Sequence, residues 1–141
     1  MTDDGVVFLD LDDLLAAASA AVGHIPAVRD VGLLESALAR PQATVFGEDA
    51  YSSLHAKAAA LLESVVGNRA LVDGNKRLGL VAVRLLDAFN GHELSATDDG
   101  KYRLVVDIAT GSLGGVEAIS NRLADLVFRP EPGSTADGAC R

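Results

Sequence analysis

Ten consecutive residues, Asn68-Arg69-Ala70-Leu71-Val72-Asp73-Gly74-Asn75-Lys76-Arg77, gather more reactive chemistry than any other stretch of the chain. A polar turn punctuated by glycine opens directly into an apolar-periodic segment at residues 78–89. The spacing predicts Asp73 as N-cap, with Gly74, Asn75 and Lys76 forming the first helical turn. Amide N–H groups at a helix start have no intrahelical partner and carry the positive end of the macrodipole, so such an end accepts anions, phosphate above all. Lys76 adds a point charge and Arg77 a planar fork suited to phosphate oxygens. Asp73 is the carboxylate beside them, chemically fit to hold a magnesium ion that bridges phosphates. The plainer reading is ordinary turn and capping chemistry with solvated cations. No G-x-x-x-x-G-K-[ST] loop is present, and Asp73-x-Asn75 lacks the later glycine and glutamate of a calcium loop.

The elements that must position this turn can be read from periodicity. Residues 6–9 are a short β-prone run. Asp10, Asp12 and Asp13 read as a cap and acidic first turn for a helix to about residue 22, with a metal cluster as the weaker alternative. Leu11, Leu14, Leu15 and Ala18 fall on one face of it. His24 lies in the loop that ends it and reads as structural or solvated. A shorter helix spans residues 31–40 and stops at Pro41. Residues 42–53 are expected to be irregular. Residues 54–66 form an amphipathic helix, with His55 on its exposed polar side and Gly67-Asn68 at its end. The helix at 78–89 is expected to be the hub of the packing, with Gly79 allowing close approach. Residues 92–96 are placed to pair with 6–9 as a minimal sheet. Thr97 caps a helix to about residue 110, and residues 116–128 form the last. The tail 129–141 has the composition of a disordered segment, and Cys140 is incidental.

Composition sets bounds. The 141 residues make one domain, residues 1–128, large enough to bury a core without disulfide or structural metal. With 49% hydrophobic but only 4% aromatic residues, that core must be built from Ala, Leu and Val, which favours close-packed helices. No apolar run reaches membrane-span length and the acidic N-terminus does not suit a signal peptide, so a cytoplasmic location is expected, with no membrane partner. One cysteine fits a reducing compartment. A net charge of −8 disfavours direct nucleic-acid binding and favours a small anionic ligand held with backbone help.

The run Val72-Asp73-Gly74-Asn75-Lys76-Arg77 resembles the core of the Doc (death-on-curing) toxins, a branch of the Fic fold family, whose pattern is H-x-F-x-[DN]-[AG]-N-K-R. Asp73 to Arg77 match position by position, and Leu71 replaces the aromatic residue. The segments Leu33-Leu34-Glu35-Ser36-Ala37-Leu38-Ala39-Arg40-Pro41-Gln42 and Phe46-Gly47-Glu48 resemble the family's second helix and the segment after that helix. The likeness runs from about Phe8 to Phe128. It implies an all-α, compact Fic/Doc-like bundle of about six helices with at most a minimal two-stranded sheet.

The resemblance also implies a toxin of a toxin–antitoxin system. Its members with lysine after the asparagine, as Lys76 here, resemble the branch that uses ATP and Mg2+ to phosphorylate a threonine of elongation factor Tu, arresting translation. AMP transfer is the alternative chemistry of the fold. A Phd-type antitoxin is the implied partner. Thr44 to Glu48 and Ser112 to Glu117 give no clean copy of the family's internal inhibitory motif, which favours inhibition in trans. The same resemblance assigns residues 42–53 as a flap that pairs with an extended target segment. One departure matters. The family's general-base histidine should stand at position 69, and this chain has Arg69. A guanidinium stays protonated and offers no lone pair, so little or no catalysis is expected from this chain. Two origins fit the change: natural degeneration, or an alteration that lets an expression host tolerate the protein. A third function, a catalytically silent module that binds nucleotide phosphates, is consistent with the added cation.

Overall fold

A computed structural model describes residues 5–128; the expected tail 129–141 lies outside the described residues. The described chain is a bundle of six α-helices: α1 (Leu11–Val22), α2 (Val31–Ala39), α3 (Leu54–Asn68), α4 (Asn75–Phe89), α5 (Asp98–Thr110) and α6 (Val116–Ala124). A 3-10 turn at Arg40–Gln42 comes directly after α2. The β content is two ladders of two residues each. β1 (Thr44–Val45) pairs antiparallel with β2 (Glu48–Asp49), and β3 (Glu93–Leu94) pairs with β4 (Val127–Phe128).

Local chemistry accounts for the helix ends. At α1, Asp13 N donates to Asp10 Oδ1 at 2.8 Å and Asp10 N donates to Asp13 Oδ2 at 2.9 Å, a reciprocal capping box. Two of the three early aspartates are thereby committed to helix initiation, and no group of three or more metal-ligating side chains gathers among the described residues. Asp30, Ser53 and Thr97 cap α2, α3 and α5 through their side-chain oxygens.

The hub of the bundle is α3, not α4. Lys57 to Leu62 and Ser64 to Val66 are buried, and α3 packs against α2, α4, α5 and α6. Its run Ala58-Ala59-Ala60 lets neighbours approach on every side, whereas α4 keeps Lys76, Arg77 and Arg84 in solvent on one face. Gly79 sets the α3–α4 spacing: a Cβ there would stand 2.8 Å from Leu62 Cδ1 and 3.0 Å from Val66 Cγ2. Leu14, Leu34, Leu61, Leu62, Leu78, Leu86 and Leu104 fill the core, each worth about 1.5–3 kcal/mol relative to exposure.

Three further expectations are corrected. Residues 92–96 do not pair with 6–9. Instead the Asn90 carboxamide takes a strand's part, its Oδ1 accepting from Val7 N and its Nδ2 donating to Val7 O, both at 2.8 Å. The last helix ends at Ala124, because Val127 and Phe128 turn back to pair with β3. The segment expected to be irregular holds the β1–β2 hairpin, with Phe46 fully exposed at its tip. Its base is fixed by the buried Lys57, which forms an ion pair with Asp49 at 3.1 Å and donates to Tyr51 O. Arg40 adds bonds to the Tyr51 hydroxyl at 3.2 Å and to Ser64 Oγ at 3.1 Å.

Candidate functional site

The turn between α3 and α4 is strapped to the connection between α1 and α2. Ala70 O accepts from Arg29 N at 2.7 Å and Asp30 N at 3.1 Å, and Val72 N donates to Ala27 O at 2.9 Å. Val28 and Leu71 thus form an isolated antiparallel bridge. The Arg29 side chain completes the strap, its Nε donating to Arg69 O at 3.0 Å and its Nη2 to Asn68 O at 3.3 Å. A cation on the last carbonyls of α3 is favourable for the helix end it closes. Arg69 itself closes α3 in the left-handed region, at φ 54° and ψ 49°.

Asp73 is not the N-cap of α4. Gly74 holds that position at φ 92°, and Asp73 Oδ1 accepts from Gly74 N at 2.9 Å. Only glycine fits, since a Cβ would lie 2.5 Å from Val22 Cγ1. The first intrahelical bond runs from Leu78 N to Gly74 O at 2.8 Å, so the amides of Asn75, Lys76 and Arg77 precede the ladder, and no side chain caps them. Asn75 closes the turn beneath them: its Oδ1 accepts from Leu71 N and its Nδ2 donates to Leu71 O, both at 3.0 Å. Both ends of that carboxamide are engaged with the backbone, which makes Asn75 the brace of the loop.

Two concavities open on this turn. The first, about 340 Å³, is lined by Val22, His24, Pro26 and Ala27 on one side and by residues 72–77 on the other. The second, about 350 Å³, is lined by Arg29, Val66, Arg69, residues 71–76 and Ala109. Asp73, Gly74, Asn75 and Lys76 line both, Arg77 only the first and Arg69 only the second. Lys76 and Arg77 are exposed, yet they border a hollow, not a flat surface. Free amides, two cations and one carboxylate around a hollow of this size are equipped for a phosphate-bearing ligand.

Asp73 also meets the donor requirement for magnesium. Its Oδ2 has no partner among the described residues, and a Mg2+ ion held by one carboxylate completes its shell with phosphate oxygens and water. Sequence reasoning missed two residues here, Arg29 and His24. No spacing pattern connects them to the 68–77 run; only the bridge between the two connections brings them in. His55 was expected on an exposed face. It is half-buried in the first turn of α3, its ring centroid 6.2 Å from that of His92, and lines neither concavity. The hairpin residues expected to act as a flap line neither concavity either.

A six-helix bundle with an anion-ready turn at the start of α4 defines the class. A model of the Fic/DOC family matches residues 8–86, which carry α1 to most of α4 and nearly all of both concavities. The chain is also similar to Toxin Doc of Mycolicibacterium smegmatis (strain ATCC 700084 / mc(2)155), with 53% identity over 92 residues, 65% of this chain and 71% of that one. The chain belongs to the Fic/DOC family. Among the described residues, no helix is long and apolar enough to cross a membrane.

Proposed function

We propose that this protein is the toxin of a toxin–antitoxin pair and a phosphotransferase that moves the γ-phosphate of ATP to a threonine hydroxyl of elongation factor Tu, arresting translation. The observation that carries the reading is the turn itself: uncapped amides at Asn75 to Arg77 beside Lys76 and Arg77, at the mouth of a 340 Å³ hollow. The similarity to a protein named Toxin Doc supports the toxin role, and the partner in this reading is a Phd-type antitoxin.

Phosphoryl transfer asks mainly for positioning and neutralisation of charge. The amides at 75–77 receive the phosphate oxygens, and Lys76 and Arg77 offset charge as the bond to the leaving group lengthens. Asn75 keeps those amides aimed by bracing Leu71. Asp73 would hold Mg2+, whose charge would offset that of the phosphates. Position 69 supplies no base, because Arg69 has no lone pair, and turnover is correspondingly low. Arg69→His is expected to raise transfer, by at most the roughly 100- to 10,000-fold that general-base catalysis is usually worth. The assay tracks label from ATP to purified elongation factor Tu. Transfer of γ-label supports the reading, and transfer of α-label makes the enzyme an AMP transferase instead. An Arg69→His protein that transfers neither and leaves growth unaffected overturns it. One observation favours a silent binding module: Arg69 lines the second concavity together with Arg29 and Lys76, so the substitution adds a third cation to that hollow. Tight Mg-ATP binding with no gain on Arg69→His is the outcome that reading requires.

A further inference from the structure

The chain holds three histidines. His55 and His92 lie with their ring centroids 6.2 Å apart, and neither lines either of the two concavities at the candidate site. His24 does: it sits directly after the left-handed Gly23 that closes α1 and lines the first concavity together with Asp73, Lys76 and Arg77. Its Nδ1 stands 2.8 Å from Ile25 O. A carbonyl oxygen only accepts, so in the neutral ring the proton sits on Nδ1 and Nε2 keeps its lone pair. Backbone bonding of one ring nitrogen is the device by which a histidine is held in the tautomer of a proton acceptor.

The other titratable groups around this hollow are unsuited to that task. Lys76 and Arg77 are cations needed by phosphate. Asp73 already accepts from Gly74 N and is the carboxylate available to a metal ion. Arg69 lines the other concavity and does not compete for the space.

We propose that His24 is the general base of this protein, a catalytic residue delivered from the α1–α2 connection in place of the one absent at position 69. The proposal rests on the phosphotransfer reading. The hydroxyl oxygen of the target forms a bond to the γ-phosphorus, and the bond from that phosphorus to the β,γ-bridging oxygen breaks. ADP leaves with the electron pair. The hydroxyl proton passes to His24 Nε2 and is released to solvent after the product departs. The strap between residues 27–30 and 70–72 matters here, because it fixes the His24 loop against the turn that would hold the phosphate.

The test uses the full chain, Mg-ATP labelled at the γ position and purified elongation factor Tu. It compares the native protein, His24→Ala, His24→Gln and Arg69→His, with circular dichroism to verify folding and calorimetry to measure Mg-ATP binding. The native chain is expected to transfer slowly, and His24→Ala to lose about 100-fold or more in kcat with an unchanged Kd for Mg-ATP. Added free imidazole restores part of that loss in His24→Ala, and not in His24→Gln, where the side chain fills the space. The proposal is overturned if His24→Ala keeps the native kcat, if imidazole restores nothing, or if the native chain binds Mg-ATP and transfers no phosphate. Activity in Arg69→His alongside any of these leaves the phosphotransfer reading standing and removes only His24. Absence of Mg-ATP binding in both the native and Arg69→His proteins removes the reading, and this proposal with it.

Discussion

Asp87 offers the most quantitative test of the packing. It lies on α4 in the interior, 1% exposed, and neither carboxylate oxygen meets a hydrogen-bond partner among the described residues. Burial without a compensating partner disfavours the charged form and pushes the Asp87 carboxyl from 3.8 up to about 6. The folded chain therefore binds this proton more tightly than the unfolded chain does. Stability from this group is fully present below pH 3.8 and is lost as pH rises through about 6. A rise of that size corresponds to about 3 kcal/mol, a sizeable share of the roughly 5–15 kcal/mol that holds a domain folded. Glu63 works in the opposite sense. Burial alone would raise its carboxyl, but hydrogen bonds from Gly115 N and Arg40 override burial and hold it below the usual range. The bare pH profile thus mixes both effects, and the difference from Asp87→Asn isolates one. Urea unfolding of both proteins from about pH 4 to about pH 7 is the assay. The stability of Asp87→Asn relative to the native protein should grow by up to about 3 kcal/mol over that range. Two parallel profiles would refute the reasoning and show that Asp87 is solvated or paired in the folded state.

Two further substitutions probe the turn at the start of α4. Gly74→Ala combines a φ of 92° with a 2.5 Å approach to Val22 Cγ1; it should cost about 1–3 kcal/mol in chemical denaturation and weaken Mg-ATP binding in calorimetry. Asn75→Ala removes both bonds to Leu71, leaving a buried amide and carbonyl unmet at about 2 kcal/mol or more. Because Asn75 braces the amides and does not merely touch a ligand, that variant should also speed hydrogen exchange at residues 71–77.

Much of the candidate site was legible because it is local. Asp73 to Arg77 are adjacent in sequence, a helix start has fixed chemistry, and the amphipathic pattern after it could be read directly. The one local error, Asp73 as N-cap, arose because Asp is the better cap by propensity, while the close approach of Val22 demands a residue without Cβ at position 74. The roles of Asn75 and Arg29 were not legible, since both act through backbone groups whose positions depend on where the chain folds back. The same is true of His24.

The helices α1 to α6, most of their caps, the Ala/Leu/Val core and the chemistry of the 73–77 run were determined by the amino-acid sequence, because propensity, capping and amphipathic period act within a few residues. Tertiary structure alone decided that α3 is the hub, that Asn90 and not a strand pairs with Val7, and that β4 turns back to β3. It also decided that His24 shares a hollow with Asp73 and Lys76. These are contacts between residues far apart along the chain, and their geometry is set by how whole helices pack, which no local pattern encodes.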